Sequence, residues 1–298
     1  MRPRIRLIYN PRAGKEAFRA HLPSVLQIFE EAGLEASSHA TRGEGDAAEE
    51  AERAAHDGFR YVVACGGDGT VHEVTNGLAR APEPQRPVLG IIPVGTTNDL
   101  ARALKIPFQV EQAARMIARQ RQMPLDLGRL GDGRYFVNIA ACGRLAEITY
   151  EVPSRMKTVL GQFAYVMKGI ERLPGLRSIP LRVETDERVY DGDAMLCLVT
   201  NSRSVGGLER LAPFASVSDG LLDVLIVKPM NLGEMIRVLG LALRGEHVGD
   251  ARIEYFRARA IALSSTTEAD LNVDGEYGGK LPFAVQVMPR HLTVVAGL

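Results

Sequence analysis

In the first third of the chain, nearly continuous apolar runs alternate with stretches whose apolar residues recur every three or four positions. The apolar runs, typical of strands buried on both faces of a parallel sheet, cover residues 5–9, 61–65 and 88–92. Helical periodicity follows around residues 22–29, 71–80 and 97–104. This alternation predicts a doubly wound α/β domain, in which ligands bind beyond the carboxyl ends of the strands.

Local signals predict the ends of two of these helices. Gly33 is expected to end the first helix as a C-cap. A second helix is predicted to begin at Asp46, with Glu49 completing a capping box, and to end before Gly58. The alanines of this second helix are small enough for close packing against a neighbour.

The pattern changes near Asp126, after which strand signals dominate and turns rich in Gly, Asp and Pro separate them. The predicted strands cover residues 135–140, 180–189, 194–200, 221–227, 259–264 and 283–287. Two helices are predicted near residues 156–172 and 231–243. We therefore expect an α/β domain over residues 1–125 and a second, β-rich domain over residues 126–288.

Composition narrows the class of protein. The chain has 298 residues, of which 46% are hydrophobic and 24% charged, a globular mixture long enough for two domains. Lys and Arg balance Asp and Glu at 36 each, so a strongly basic nucleic-acid-binding protein is not indicated. Cys65, Cys142 and Cys197 show no CxxC spacing and are expected to be buried, reduced thiols.

No segment has the pattern of a signal peptide or a membrane span, because no stretch reaches ~18 consecutive apolar residues. We expect a cytoplasmic protein whose contact with membranes is peripheral. The predicted helix near residues 156–172 carries an apolar face with basic residues on its flanks. A helix facing the core is the first interpretation of that pattern, and a rim that touches lipid headgroups is the second.

The sharpest chemical signal is the sequence GGDGT at Gly66–Thr70, directly after the apolar run at residues 61–65. Glycines let the backbone turn tightly and approach a ligand closely. N–H groups at the start of the next helix favour an anion such as phosphate, and Asp68 adds a carboxylate suited to Mg²⁺ or its water. A merely tight turn is the alternative, and the aspartate and the buried strand make it the weaker one.

Two familiar phosphate motifs are absent. Gly14-Lys15 is followed by Glu16, so there is no P-loop. His72 occupies the place of the third glycine of GxGxxG, which argues against a nicotinamide-binding site.

A second glycine turn follows the run at residues 88–92. Gly95 and Thr96 could face a ligand there, while Asn98 or Asp99 could cap the next helix. Capping is the common role of such residues, and the two roles are compatible.

In the second half of the chain, Asp274 and Glu276 flank a glycine. One carboxylate could take a proton while the other orients it or a metal. A solvated β-turn is the simpler interpretation of Asp-Gly, and on these residues alone it is the stronger one. The turn at Asp219 carries the same ambiguity.

Taken together and in order, these residues resemble the diacylglycerol kinase catalytic family, in its bacterial soluble lipid kinase branch. The matching segments are Asn10-Pro11 with Gly14, Gly66–Thr70 with Glu73 and Asn76, Gly95-Thr96 with Asn98-Asp99, Asp126, Leu160–Tyr165, Asp219-Gly220 and Asp274–Glu276. They run over nearly the whole chain. The segment Gly206-Gly207-Leu208 departs from the glycine-rich run that is usual in the family.

The resemblance implies an N-terminal α/β domain like that of phosphofructokinases and NAD kinases and a C-terminal β-sandwich, with ATP in the cleft between them. It implies that the last strand, about residues 289–298, returns to the first domain. The residues it implies in ATP contact are Asn10, Thr41, Gly66, Gly67, Asp68, Gly69, Thr70, Val71, His72, Gly95, Thr96 and Asn98. Glu276 would be the proton acceptor, with Asp68 and Asp126 as further catalytic residues. A structural Mg²⁺ would lie at Asp219, the carbonyl of Leu221 and Ser216.

The implied reaction transfers the γ-phosphate of ATP, with Mg²⁺, to the hydroxyl of a lipid such as diacylglycerol at a membrane surface, as in phospholipid biosynthesis. NAD kinase, which shares the GGDGT signature, and a catalytically inactive nucleotide-binding regulator remain alternatives. A sphingoid or ceramide kinase would use the same chemistry. Asn98-Asp99 and the loop at Asn10 favour the lipid kinase. ATP and a lipid are the expected partners, nucleic acid is not, and the oligomeric state, with a homodimer as one choice, stays open.

Overall fold

The computed structural model describes residues 2–13, 17–143, 146 and 178–297. The chain forms two compact units, Met1–Leu127 with Pro289–Leu298, and Gly128–Met288. The three cysteines are buried and free, as predicted. Within the described ranges, no helix combines the length and the apolar character needed to cross a bilayer.

The first unit alternates strands and helices along the chain. Its elements are β1 (Arg4–Tyr9), α1 (Ala17–Glu31), β2 (Glu35–Ala40), α2 (Asp46–His56), β3 (Tyr61–Gly66), α3 (Asp68–Arg80), β4 (Val88–Pro93), α4 (Asp99–Ala103), α5 (Val110–Ala118) and most of β5 (Gln122–Leu130).

The sheet of the first unit has the strand order β2-β1-β3-β4, and all of these neighbours are parallel. β3 lies inside the sheet, and all six of its residues are buried. The uniformly apolar run at residues 61–65 suits this position, since both faces of the strand are covered. Near the end of the chain, Val294 pairs in parallel with Leu89 of β4.

Helices α2 and α3 approach closely because small residues line their contact. Five alanines of α2 are buried. A Cβ added to Gly77 of α3 would lie 2.2 Å from the carbonyl oxygen of Ala48, so no larger residue fits at position 77 without a shift. The close packing predicted from the alanines is confirmed.

The predicted helix ends are confirmed, but one predicted cap is wrong. Gly33 and Gly58 follow α1 and α2 with φ of 79° and 76°, the left-handed backbone of a C-cap. α2 begins at Asp46 as predicted, yet no capping box forms, because its N-cap residue is Gly45, which has no side chain. The N–H of Ala47 donates instead to Glu73 of α3 at 3.1 Å.

The second unit is built mainly of antiparallel strands. Its elements after β5 are β6 (Tyr135–Phe136), β7 (Ile139–Cys142), β8 (Ile179–Thr185), β9 (Val189–Ala194), β10 (Leu196–Thr200), β11 (Leu222–Val227), α6 (Leu232–Arg244), β12 (Ile253–Ala258), β13 (Ala260–Ser264), β14 (Asp270–Val273), β15 (Glu276–Lys280) and the first residues of β16 (Phe283–Val295).

Two sheets of the second unit share one apolar core. The first has the order β12-β11-β10-β7-β14-β15. In the second, β13 lies between the start of β16 and β8, and β8 pairs in turn with β9. Buried residues from both sheets, such as Val199, Val224, Leu181 and Ile261, belong to this core. α6 contributes Met235 and Val238 to a separate apolar cluster with residues of the first sheet.

Several predicted elements of the second unit differ from the structure. The strand predicted over residues 180–189 is the hairpin β8–β9, because Thr185 Oγ1 accepts the N–H groups of Glu187 and Arg188 and turns the chain. β5, β12, β14 and β15 were not predicted, since polar residues interrupt their apolar pattern. The helix predicted over residues 156–172 lies outside the described residues. The predicted fold class, an α/β half followed by a β-sandwich half, is confirmed.

Candidate active site

Four loops of the first unit lie at the carboxyl ends of its parallel strands. Main-chain hydrogen bonds join them, from the Asn10 N–H to the Cys65 carbonyl (3.2 Å), from the Thr41 N–H to the Tyr9 carbonyl (2.9 Å) and from the Val94 N–H to the Gly66 carbonyl (3.0 Å). The loops that carry the predicted nucleotide contacts therefore lie along one edge of the sheet, where ligands of doubly wound proteins bind.

The GGDGT turn requires glycine at position 66, because a Cβ there would lie 2.2 Å from Thr70 Oγ1. Gly67 is the N-cap residue of α3 and has an extended backbone. Helix geometry leaves the N–H groups of residues 67–70 with no acceptor inside α3. Such a cluster of donors at a helix N-terminus favours a phosphate group.

The second glycine turn approaches the first within van der Waals distance. A Cβ on Gly95 would lie only 2.5 Å from Gly67 Cα, so position 95 has no room for a side chain. Thr96, the next residue, is exposed. The structure thus brings together the two glycine turns that the sequence singled out.

Asp68 connects these two turns. Its carboxylate accepts the N–H of Asn98 at 2.9 Å and that of Asp99 at 2.8 Å. The expectation that Asn98 or Asp99 caps the next helix is wrong, since Asn98 makes no capping bond and its side-chain amide donates to the Gly95 carbonyl. Asp68, thirty residues earlier, supplies the acceptor for the start of α4.

The first turns of α3 limit what its other predicted residues can offer a ligand. Thr70 and Val71 are buried, and His72 is half-buried. The N–H of Val71 donates to the Gly67 carbonyl at 3.1 Å. The main-chain N–H of Val71 is therefore already used inside the protein and is not available to donate to a nucleotide.

The loop that carries Thr41 is held by Asp46, a role the sequence analysis missed. Asp46 accepts the N–H of Arg42 at 2.7 Å and bonds His39 Nε2 at 3.2 Å. Burial raises the pKa of Asp46, but these two bonds outweigh it and hold the pKa below its ordinary value. The sequence feature that indicates this role is an aspartate at the predicted start of a helix, five residues after Thr41.

Asp126 is fully buried in β5. Its carboxylate accepts the N–H of Arg290 at 2.6 Å, a residue whose φ of 51° is rare for a side chain of this type. Asp126 therefore has at least one structural role, which is to hold the last strand in a sparsely populated backbone conformation.

In the second unit, Asp274 and Gly275 form the two-residue turn between β14 and β15. Their φ values of 50° and 98° are those of a type I′ hairpin turn. The Asp274 carboxylate is buried and accepts three N–H groups at 2.9 Å each, from Val137, Asn138 and Ile139. The turn is therefore a β-turn, but its aspartate is buried rather than solvated.

Glu276 is the first residue of β15 and is exposed. Tyr277 beside it leaves 57% of its surface exposed. Of the two carboxylates at this turn, Asp274 is committed to main-chain donors, while Glu276 is accessible to a ligand. The structure thereby separates the two carboxylates, whose spacing in the sequence leaves both roles open to either residue.

The predicted metal residues lie in one turn of the second unit. Asp219 accepts the N–H of Leu221 at 3.1 Å, and its other oxygen lies 3.6 Å from the Arg257 guanidinium. Ser216, which precedes Asp219 in the sequence, is half-buried. Among the residues that the structure describes, no group of three or more His, Cys, Asp and Glu side chains could hold a metal. A cation at this turn would depend on one carboxylate and on main-chain oxygens.

Two segments that carry the resemblance lie outside the described residues. They are Gly14 and Leu160–Tyr165.

Comparisons with known proteins agree over nearly the whole chain. Residues 4–130 match the diacylglycerol kinase catalytic domain, and residues 141–296 match the YegS C-terminal NAD kinase beta sandwich-like domain. A protein of Bacillus subtilis (strain 168) named diacylglycerol kinase is 50% identical over 98% of this chain and 96% of its own. A Staphylococcus aureus (strain bovine RF122 / ET3-1) protein of the same name is 45% identical over 99% and 93%.

A solved structure has the same fold. A crystal structure from Bacillus anthracis strain Sterne superposes with a TM-score of 0.85 at 28% identity, covering 99% of this chain and 98% of that one. With half of its residues identical to those of a full-length relative, the chain belongs to the diacylglycerol kinase family.

Proposed function

We propose that this protein transfers the γ-phosphate of ATP to a hydroxyl of diacylglycerol or of a related lipid alcohol. The observation that carries the proposal is the glycine turn at Gly66–Thr70, where helix N–H groups point past the carboxyl edge of a parallel sheet and Asp68 bridges to the neighbouring turn. Because the chain belongs to a lipid kinase family, we infer that ATP is the co-substrate and that a divalent cation binds with it.

In the proposed reaction the lipid hydroxyl oxygen bonds to the γ-phosphorus, and the bond from that phosphorus to the ADP oxygen breaks. Glu276 takes the hydroxyl proton, because it is the exposed carboxylate of its turn. The N–H groups of residues 67–70 hold the phosphates, and the exposed Thr96 and the loop of Thr41 contribute further nucleotide contacts. Charge stabilisation and positioning of this kind carry most phosphoryl transfer.

The carboxylate of Asp68 fits a role beside Mg²⁺, since it lies in the glycine turn, where it accepts the N–H groups of Asn98 and Asp99, and carboxylate oxygens are ligands that Mg²⁺ prefers. A bound Mg²⁺ would neutralise charge on the transferred phosphate. Asp126 supports this side of the site by fixing Arg290 in the last strand. A structural Mg²⁺ at Asp219, the Leu221 carbonyl and Ser216, and peripheral contact with a membrane, belong to the same proposal.

NAD kinase is the second candidate, because the GGDGT signature and the sandwich are shared with it. The names of the relatives, which cover nearly the full chain, disfavour it. An assay with labelled ATP separates the candidates, with diacylglycerol in detergent micelles in one reaction and NAD in another. Label in phosphatidate is expected. Label in NADP alone would establish the rival, and no transfer to either acceptor would favour an inactive nucleotide-binding protein.

A further inference from the structure

A cavity of about 450 Å³ in the first unit is lined on several sides by basic residues. It lies between α5 and the last residues of the chain, and it shares no residue with the candidate nucleotide contacts. Its charged lining consists of Lys105, Arg115, Arg119 and Arg121, with Gln112 as a further polar group and no acidic side chain. Its volume is within the range of small-molecule sites.

Three of these four positive charges have no counter-ion among the residues that the structure describes. Within the described ranges, Lys105, Arg115 and Arg119 take part in no ion pair and no side-chain hydrogen bond. The chain as a whole has a formal net charge of zero, so the excess is local to this cavity. Like charges that crowd one concave surface repel each other, and an anion bound among them would remove that cost.

Helix stabilisation accounts for only part of this arrangement. Arg115 and Arg119 lie at the C-terminal end of α5, where cations interact favourably with the helix dipole. Lys105 and Arg121 lie outside α5, so their place in the cavity lining is set by other parts of the chain. The main chain also holds Lys105 in place, since its φ is 54° and the N–H of Gly297 donates to the preceding carbonyl, that of Leu104, at 3.0 Å.

We propose that this cavity binds a phosphate-bearing anion at a site separate from the glycine turn. Guanidinium groups suit this ligand because each can donate two parallel hydrogen bonds to phosphate oxygens. The same chemistry is offered by the headgroup of an anionic phospholipid and by a small soluble phosphate ester.

The test uses the full chain and probes without a nucleotide, so that it does not depend on the proposed kinase activity. Binding of inorganic phosphate and of glycerol 3-phosphate is measured by calorimetry at constant ionic strength. Binding to vesicles of phosphatidylglycerol mixed with phosphatidylcholine is compared with binding to phosphatidylcholine alone. The cavity variant is Arg115→Gln with Arg119→Gln. The matched control is Arg129→Gln with Arg259→Gln, which removes two exposed arginines of the second unit.

We expect the wild type to bind saturably. The affinity of the cavity variant should be at least about tenfold lower, because two charge-assisted contacts are removed. The control variant should bind like the wild type. A response to the soluble anions assigns a soluble ligand, and a response to phosphatidylglycerol vesicles alone assigns a lipid headgroup. The proposal is overturned if the wild type binds no probe, if the cavity variant binds as well as the wild type, or if the control loses as much. Should the cavity variant fail to fold, Lys105→Asn replaces it, since Asn tolerates positive φ.

Discussion

Asp68 in the first unit and Asp274 in the second are alike in sequence and differ in surroundings. Each adjoins a glycine after a strand, and each carboxylate accepts main-chain N–H groups of a distant loop. Asp68 lies at the open edge of a parallel sheet, beside helix N–H groups that have no acceptor within their helix. Asp274 is buried under three donors at a hairpin turn, and the exposed carboxylate next to it is Glu276.

An acidic residue in a glycine turn is therefore not by itself evidence that its carboxylate takes part in chemistry. In the first unit the aspartate lies at the candidate site and also connects its two glycine turns. In the second unit the aspartate orders the turn, and we assign the chemistry to its neighbour. Variants that separate a loss of stability from a loss of activity test this contrast.

The largest effect is expected from Gly67→Val. ATP affinity should fall below detection, because the side chain would occupy space beside the N–H groups that we propose bind phosphate. The fold should persist, since a Cβ at position 67 meets only Gly95 Cα, at 3.5 Å. Titration calorimetry with ATP and a thermal melt check the two halves of this prediction. Gly131→Val, at an open position of the second unit, is the control and should bind ATP normally.

Glu276→Gln should lower kcat by ~10²–10⁴-fold, the usual contribution of a general base. The thermal midpoint and the ATP affinity should stay close to those of the wild type, because the side chain is exposed. Steady-state kinetics with diacylglycerol in micelles measure the first and calorimetry the second. Full turnover in this variant would remove Glu276 from its assigned role.

Asp274→Ala should destabilise the protein by on the order of 3 kcal/mol or more, because three buried N–H groups lose their acceptor at once. Urea unfolding of the variant measures the loss. Glu276→Ala is the matched control two residues away and should change stability by less than about 0.5 kcal/mol. Equal stability of the two variants would show that the contrast between the two carboxylates is wrong.

The smallest effect concerns pH. His247 of the second unit is buried, and burial lowers its pKa. Protonation therefore favours the unfolded chain, in which histidine has a pKa of about 6.5. Its contribution to stability is complete above that pH and is lost as the pH falls through the lowered folded-state value. Melts at pH 7.5 and at lower pH, compared with His247→Gln, should show a smaller decline in the variant. Parallel declines would exclude His247 as the cause.

Much of the first unit could be predicted because its signals are local. The buried run at residues 61–65 and the glycines at positions 33 and 58 need only their neighbours to define a strand and two helix ends. The GGDGT motif likewise predicts from its own residues a turn between a strand and a helix. The predicted capping box of α2 does not form because the N-cap residue, Gly45, has no side chain, and the acceptor that replaces it, Glu73, comes from another helix.

The remaining features depend on partners far along the chain. Asp274 bonds residues 135 to 137 positions earlier, which no periodicity indicates. Asp68 caps α4 across thirty residues, so the nearby Asn98 and Asp99 were assigned the role instead. The basic cavity is lined by residues from α5, from the loop after α4 and from the last residues of the chain. Each of these requires the tertiary fold.

The most direct test of the account is transfer of labelled phosphate from ATP to diacylglycerol by purified wild type, Gly67→Val and Gly131→Val in one assay. We predict labelled phosphatidate from the wild type and from Gly131→Val, and none from folded Gly67→Val. Undiminished transfer by folded Gly67→Val would contradict the assignment of the glycine turn as the phosphate-binding site. Absence of transfer by the wild type itself would contradict the proposed function.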